Sequence, residues 1–239
     1  MRVNTPLTNM LAEPYGQRTS QLLFGEPFQV LRTDRGHSYG KADCGYHGWV
    51  ASAALEPVRA VSHQVNALAT YVYAQPNMKS EMRLRLPYMA RVLVQKTEGD
   101  FARIPEGYVF AAHLSEAPAK DFAAEAERFL GIPYLWGGRS TLGIDCSGLV
   151  QLALLAAGVF APRDSGPQSE SIGQALSLDS DLQRGDLVFW HSHVGIMQDT
   201  ETLLHATAFS MSTISEPLAA TKARIAALGA GPVTAIRRV

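Results

Sequence analysis

Short alternating runs of apolar and polar residues dominate the first half of the chain and predict strands rather than helices. Gly, Pro and Asp interrupt these runs every few residues, and no segment has the length and 3.6-residue period of a helix. The runs are Gln21–Glu26, Pro27–Arg32, Gly48–Ala51, Thr70–Ala74, Ala90–Gln95 and Gly107–Ala111.

One eight-residue sequence phrase of the first block has a similar counterpart in the second block. Gly48-Trp49-Val50-Ala51-Ser52-Ala53-Ala54-Leu55 is echoed by Gly107-Tyr108-Val109-Phe110-Ala111-Ala112-His113-Leu114. Internal self-similarity of this kind predicts two copies of one small β-barrel. The alternative is that both blocks are β-rich spacers.

The second half begins with helical patterns and ends with strands. An amphipathic stripe predicts a helix over 118–130, and the run that starts at Cys146 is apolar on nearly all sides, with Asp145 as N-cap and Gly158 as its end. A short helix is expected over Ser169–Leu176. The predicted strands are Asp186–Trp190, His193–Gln198, Thr202–Thr207 and Val233–Arg238.

Helices followed by strands, without βαβ alternation, indicate an α+β domain with an antiparallel sheet. The predicted division is a first barrel over 1–60, a second over 61–117 and the α+β domain over 118–239. Ser115–Pro118 is the expected linker.

Composition and charge narrow the possible functions. The 239 residues are 46% hydrophobic and carry 21 Lys and Arg against 22 Asp and Glu, a balance that argues against nucleic-acid binding. Two distant cysteines form neither a disulfide framework nor a metal motif, and no metal or organic cofactor is expected. We expect a cytoplasmic protein without membrane association, because the N-terminus lacks a signal-peptide core; a removed leader would instead mean a secreted or periplasmic protein.

Cys146 is the candidate nucleophile. It lies in the first turn of the predicted central helix, where unpaired backbone N–H groups and the helix dipole favour a thiolate. Glycines flank it on both sides, and histidines follow downstream.

Two of those histidines are candidates for the base and its orienting partner. If Asp199–Glu201 forms a turn, residues whose numbers sum to about 400 face one another, and His193 and His205 become diagonal neighbours on one sheet face. A thiol that attacks amides needs a base and a group that holds that base. His191 has the same parity but lies at the turn before the strand.

Five motifs together resemble the NlpC-type family of cell-wall cysteine peptidases. They are Pro133–Gly138, Gly143–Val150, Gly185–Phe189, His193–Ile196 and His205–Ala206. The two N-terminal blocks resemble bacterial SH3-like barrels. The resemblance implies a papain-like catalytic domain after two SH3-like barrels.

The resemblance also implies roles for individual residues. Cys146 would be the nucleophile, His193 the base and His205 the orienting residue, and Tyr134 with the backbone at Cys146 would line the oxyanion site. Asp145, which we expect to cap and shape the turn, would border the substrate site with Ser147 and Trp136.

A subgroup with two barrels before the peptidase acts on free murein peptides that begin with L-Ala. This likeness implies hydrolysis of the bond between γ-D-Glu and an L-diamino acid, with release of L-Ala-γ-D-Glu during wall-peptide recycling. Asp164 and Ser165 match the subgroup's pocket for the free ammonium, and Glu26 and Tyr46 are candidates from the first barrel. Glu26 could equally be a solvated turn residue.

Two other readings stay open. One is an endopeptidase acting on intact murein, with the barrels as wall-binding modules. The other is a binding module on an inactive peptidase fold, which would lack one of the three catalytic residues. The preferred diamino acid, the role of the second barrel and the oligomeric state are open from the sequence.

Overall fold

The computed structural model describes residues 1–239, which divide into two compact units, Met1–Pro118 and Ala119–Val239. The first unit consists of short strands and the second combines helices with a sheet, as the apolar patterns predict. The three domain ranges inferred from the sequence stay predictions. No helix of the chain is both long enough and apolar enough to cross a membrane.

A first small barrel contains a five-stranded antiparallel sheet and a separate strand pair. The sheet order is β3-β2-β6-β5-β4, and β1 pairs with β7. The strands are β1 (Arg2–Val3), β2 (Leu7–Leu11), β3 (Arg18–Leu23), β4 (Phe28–Asp34), β5 (His37–Ala42), β6 (His47–Ala51) and β7 (Leu55–Glu56).

A second barrel follows with a similar plan. Its five-stranded sheet has the order β10-β9-β14-β13-β12, and a three-stranded sheet has the order β11-β8-β15. The strands are β8 (His63–Val65), β9 (Ala69–Tyr73), β10 (Met82–Pro87), β11 (Arg91–Val92), β12 (Lys96–Glu98), β13 (Phe101–Ile104), β14 (Gly107–Phe110) and β15 (Leu114–Ser115).

The repeated sequence phrase marks equivalent positions in the two barrels. In each barrel a strand is followed by a single 3₁₀ turn, Ser52–Ala54 in the first and Ala111–His113 in the second, and then by a two-residue strand. The inference of two copies of one barrel is therefore confirmed. The strand expected over Gln21–Glu26 ends at Leu23, because the chain turns there and Gly25 adopts a positive φ of 79°.

The second unit has four helices and one large antiparallel sheet. The sheet order is β18-β23-β19-β20-β21-β22, and β16 and β17 form a separate pair. The elements are α1 (Phe122–Glu127), β16 (Arg139–Ser140), β17 (Gly143–Ile144), α2 (Cys146–Ala156), α3 (Ser165–Ser171), β18 (Gln174–Leu176), β19 (Leu187–Trp190), β20 (His193–Met197), β21 (Thr202–Thr207), β22 (Ser212–Pro217), α4 (Leu218–Ala227) and β23 (Ala235–Arg238).

The central helix α2 forms as its sequence predicts. Asp145 is the N-cap, and its side chain accepts a hydrogen bond from the backbone of Gly148. Ten of the eleven helical residues are buried, which matches an apolar run without a polar face. Gly158 has a positive φ of 75°, so it ends the helix in the conformation that glycine adopts most easily.

Two helix predictions are wrong in their bounds. The helix expected over 118–130 is shorter, because Asp121 rather than Pro118 caps it, accepting from Ala123 and Ala124. The helix expected over Ser169–Leu176 begins earlier, at Ser165, and its last three predicted residues instead form β18 against β23.

Candidate active site

Helix α2 presents Cys146 as its first residue. The loop before it is held by Asp145, whose Oδ2 accepts from the Gly137 backbone at 2.8 Å while Oδ1 accepts from Gly148 at 2.7 Å. These bonds satisfy amides that a helix start and a tight loop would otherwise leave unpaired. The thiol is therefore held at a defined place in the first turn.

The two candidate histidines meet across a hairpin in the predicted register. Ile196 pairs with Leu204 and Met197 with Leu203, so facing residue numbers sum to 400. His193 Nε2 and His205 Nδ1 are 2.7 Å apart, a hydrogen bond between the two rings. His193 is half-buried at the start of β20, whereas His205 is completely buried in β21.

The cysteine lies against the strand that carries His193. Helix α2 packs on β20, and the Cys146 thiol interacts with the backbone N–H of Val194, the residue after His193. Helix start and hairpin thus bring thiol and imidazole pair to one region. His191 is exposed in the two-residue turn between β19 and β20.

Burial shifts the Cys146 thiol and the His193 imidazole toward their neutral forms, which opposes the thiolate expected from the start of the helix. Burial, followed by the Asp145 charge, raises the pKa of Cys146 to about 12, and the backbone N–H groups of Val194 and Ser147 only partly offset it. Burial also lowers the pKa of His193 to about 3, with smaller contributions from His205 and Arg224. Desolvation outweighs the helix dipole because almost no water reaches the sulfur.

Tyr134 lies near the thiol, half-buried, with its backbone N–H bonded to Met211 O at 2.9 Å. Burial raises the pKa of its phenol, and the charge that Cys146 would carry adds to the effect. The hydroxyl therefore stays protonated and can donate a hydrogen bond. Trp136, two residues on, is two-thirds exposed.

The side chains of Asp145 and Ser147 both bind a buried arginine, Arg163, at the start of α2. Both Asp145 oxygens accept from the guanidinium of Arg163, at 2.9 and 2.6 Å, and the same guanidinium donates to Ser147 Oγ at 2.9 Å. Both residues hold the start of α2 in shape. Sequence reasoning gave Arg163 no role, although a carboxylate buried at a helix start requires a cationic or hydrogen-bonding partner.

Asp164 and Ser165 lie at the start of α3. Asp164 is exposed, and its carboxylate makes no hydrogen bond or ion pair, not even with its own helix. Partial burial nevertheless raises its pKa, which the Arg163 charge partly offsets. Ser165, the first helical residue, is buried.

The first-barrel candidates are both partly enclosed. Glu26 is buried rather than solvated, and its Oε2 accepts from the Leu23 backbone at 2.9 Å within a turn. Tyr46 is in a loop, half-buried against the core of that barrel. Cys44 packs on the same core as a free thiol, in line with a structural residue.

Two residues behind His205 escaped sequence reasoning. Glu216 Oε1 is 2.8 Å from His205 Nε2, and Arg224 Nη1 donates to Glu216 Oε2 at 2.7 Å. They lie on β22 and α4, neither of which was predicted. Glu216 could have been found by extending the predicted β20–β21 hairpin. A further antiparallel strand after Thr207 would pair with the strand that carries His205 and bring a charged residue beside it.

Comparison with known protein families matches both parts of the chain. Residues 131–226 match the NlpC/P60 family and residues 10–55 match the bacterial dipeptidyl-peptidase Sh3 domain. Both matches agree with the resemblance noted in the sequence.

Two curated relatives are similar to this chain over about two thirds of its length. The chain is 28% identical to a gamma-D-glutamyl-L-lysine dipeptidyl-peptidase of Bacillus subtilis, over 68% of this chain and 60% of that protein. It is 31% identical to a protein of the same name from Bacillus cereus, over 61% and 49%. It therefore spans only about half to three fifths of these relatives.

The fold is that of an NlpC/P60 family protein from Bacillus cereus, whose crystal structure superposes with a TM-score of 0.84 at 21% identity, covering 99% of this chain and 98% of that one. The second unit is thus similar to the NlpC/P60 family over residues 131–226, and the first is similar to the bacterial dipeptidyl-peptidase Sh3 domain over residues 10–55.

Proposed function

We propose that the protein is a cysteine peptidase that acts on peptidoglycan peptides, with Cys146 as nucleophile and His193 as base. The observation that carries the proposal is the His193–His205 hydrogen bond on the strand against which the thiol packs. A base held by a second polar side chain beside a helix-start thiol is the arrangement that thiol catalysis requires.

The proposed reaction begins with two neutral groups. His193 Nε2 is engaged by His205, so Nδ1 is the ring nitrogen that takes the proton from the Cys146 thiol. The thiolate attacks the carbonyl carbon, an S–C bond forms, and negative charge collects on the carbonyl oxygen. Tyr134 and the backbone amide at Cys146 are the proposed donors to that oxygen.

The second half of the cycle returns the proton. The imidazolium of His193 gives it to the leaving amine as the C–N bond breaks, leaving a thioester on Cys146. Water, deprotonated by His193, then attacks the thioester carbonyl, the S–C bond breaks, and the imidazolium returns its proton to the Cys146 sulfur as the acid product leaves. Each step uses one proton and one imidazole, so the cycle needs no cofactor.

The substrate that we propose is a murein peptide with a free N-terminal L-Ala, cleaved between γ-D-Glu and the L-diamino acid. The names of the two relatives support the γ-D-glutamyl bond and dipeptide release. The proposed requirement for a free N-terminal amine is supported by Asp164, because an exposed carboxylate that makes no hydrogen bond within the protein can pair with an ammonium group. Glu26 and Tyr46 stay predictions for the same pocket, and so does a cytoplasmic role in peptide recycling.

The test is hydrolysis of L-Ala-γ-D-Glu-L-Lys by the full chain, followed by mass spectrometry of the products. We expect L-Ala-γ-D-Glu and lysine from the wild type, no detectable turnover for Cys146→Ala, and near wild-type turnover for Cys44→Ala as the matched cysteine control. Turnover in the Cys146→Ala variant would refute the assignment of the nucleophile.

A further inference from the structure

A carboxylate and an arginine continue the line of hydrogen bonds that begins at His193, and the proposed mechanism leaves both unused. His193 Nε2 bonds to His205 Nδ1 at 2.7 Å, and His205 Nε2 bonds to Glu216 Oε1 at 2.8 Å. The Arg224 guanidinium donates hydrogen bonds to both carboxylate oxygens of Glu216.

Sheet register and helix position place these groups. In the β21–β22 pair, Leu203 faces Glu216, and His205 lies two residues further along the same face. Helix α4 starts directly after β22, which brings the side chain of Arg224 back to the carboxylate of Glu216. Charged and titratable groups reach His205 from three elements: His193 from β20, Glu216 from β22 and Arg224 from α4.

The carboxylate is ionised across the range in which peptidases work. The hydrogen bonds from Arg224 lower the pKa of Glu216 to about 2, the bond from His205 adds to this, and partial burial opposes both. An ionised carboxylate has no hydrogen to donate. His205 Nε2 must therefore carry the hydrogen in its bond to Glu216.

That one constraint fixes the hydrogen positions on both rings. A neutral imidazole has one N–H, so His205 Nδ1 is an acceptor once Nε2 is the donor. His193 Nε2 must then donate to His205 Nδ1. This leaves Nδ1 of His193 with a lone pair, on the ring nitrogen that remains for the thiol proton.

We propose that Glu216, which is hydrogen-bonded to Arg224, is a positioning residue that fixes the tautomer of His205 and, through His205, the tautomer of His193. The role rests on the proposed peptidase function, since it concerns the base of that reaction. The same negative charge favours the imidazolium that forms when His193 accepts the thiol proton.

Glu216→Gln is the main test variant because it keeps the size of the side chain but adds donor hydrogens. An amide that donates to His205 Nε2 permits the opposite tautomer, which puts the single hydrogen of His193 on Nδ1. Glu127→Gln is the matched control: Glu127 also pairs with an arginine, Arg184 at 2.6 Å, but contacts no imidazole.

The first readout is the position of the ring hydrogens, measured by ¹⁵N–¹H correlation spectra of histidine-labelled full-length protein. His193→Gln and His205→Gln variants identify the two rings among the seven histidines of the chain. We expect Nε2–H forms of both rings in the wild type and in Glu127→Gln, and mixed forms in Glu216→Gln. A wild-type Nδ1–H form of either ring overturns the proposal.

The second readout is kinetic. We expect kcat of Glu216→Gln to fall by about 10- to 100-fold with KM nearly unchanged, less than the ~10⁴-fold loss seen when the orienting carboxylate touches the base directly. The limb of the pH profile set by His193 should move to lower pH, because its imidazolium loses a stabilising charge. Unchanged kcat and an unchanged limb would contradict the role of Glu216.

Arg224→Met provides a second variant in which the acceptor remains. We expect its spectra to keep the wild-type tautomers, because Glu216 still accepts from His205, and we expect a smaller loss of kcat than in Glu216→Gln. A larger loss together with wild-type tautomers would overturn the proposal. Because the tautomers are read without turnover, an inactive wild type would refute the proposed function and leave this inference open to its own test.

Discussion

At the scale of single residues, the thiol is the point on which sequence and structure differ most usefully. Its position at the start of a helix was readable from Asp145 and the apolar run that follows. Its protonation was not, because the thiol is buried in a helix that packs on β20 and β21, and that packing exists only in the folded chain. Desolvation therefore outweighs a helix-dipole effect that alone would favour the thiolate.

Alkylation by iodoacetamide tests this protonation. In a Cys44→Ser background only Cys146 can react, and its rate should rise about tenfold per pH unit through pH 8 and beyond, because the pKa of the thiol is raised to about 12 and only the thiolate reacts. The rate is measured by mass spectrometry of the labelled peptide.

A plateau between pH 5 and 8 would contradict the prediction, since it would mean that a thiolate–imidazolium pair already exists at rest. Denatured protein in urea is the control. There the same cysteine should titrate near its ordinary pKa of ~8.5.

At the scale of elements, the start of α2 is fixed by close backbone packing as well as by Asp145. A Cβ added at Gly148 would lie 2.5 Å from Gly138 O and 2.9 Å from Asp145 Oδ1. The loop before the cysteine therefore approaches the helix more closely than any side chain permits. The glycine thus serves the geometry of the thiol.

Gly148→Ala should lower the free energy of unfolding by about 1–3 kcal/mol, the usual cost of overpacking, and should also impair catalysis by displacing the first turn. Gly166→Ala is the control, because that helical position in α3 has no atom within 4 Å of an added Cβ. It should be neutral or stabilising by up to ~1 kcal/mol. Urea unfolding of both variants measures the difference, and equal values would contradict the account.

The elements also show what a local pattern can and cannot reveal. The pairing of β20 with β21 was predictable to within one or two residues, because Asp199–Glu201 forms a short turn between two mostly apolar strands, and the observed register has facing numbers that sum to 400. Strand β22 was missed because its residues are mostly polar, and helix α4 because it is alanine-rich and buries only Leu218 and Thr221, so it has no clear apolar stripe. Their identity depends on β21 and on the carboxylate–arginine pair that they carry, which only the folded chain brings together.

At the scale of the whole molecule, the fold class followed from a simple order: two blocks of strands, then helices, then a sheet. The two barrels were visible because one phrase occurs twice, and that phrase marks equivalent 3₁₀ turns. The partners of buried charges were not visible. Arg163 reaches Asp145 across 18 positions and Arg2 reaches Glu106 across 104, separations that no local pattern reports.

The choice between a free peptide and intact murein is a question for the whole chain, and the substrate's amine decides it. If a carboxylate receives the ammonium group, acetylating the N-terminus of L-Ala-γ-D-Glu-L-Lys should lower kcat/KM by about 10- to 100-fold, since a hydrogen bond to a charged group contributes about 1.5–3 kcal/mol. Asp164→Asn should lower kcat/KM for the free peptide and leave the acetylated one nearly unaffected, because only the free peptide carries the charge that Asp164 would pair with. Equal losses for both peptides would remove Asp164 from amine recognition. Equal rates for both peptides with the wild type, together with clearing of purified sacculi in a turbidity assay, would favour the endopeptidase instead.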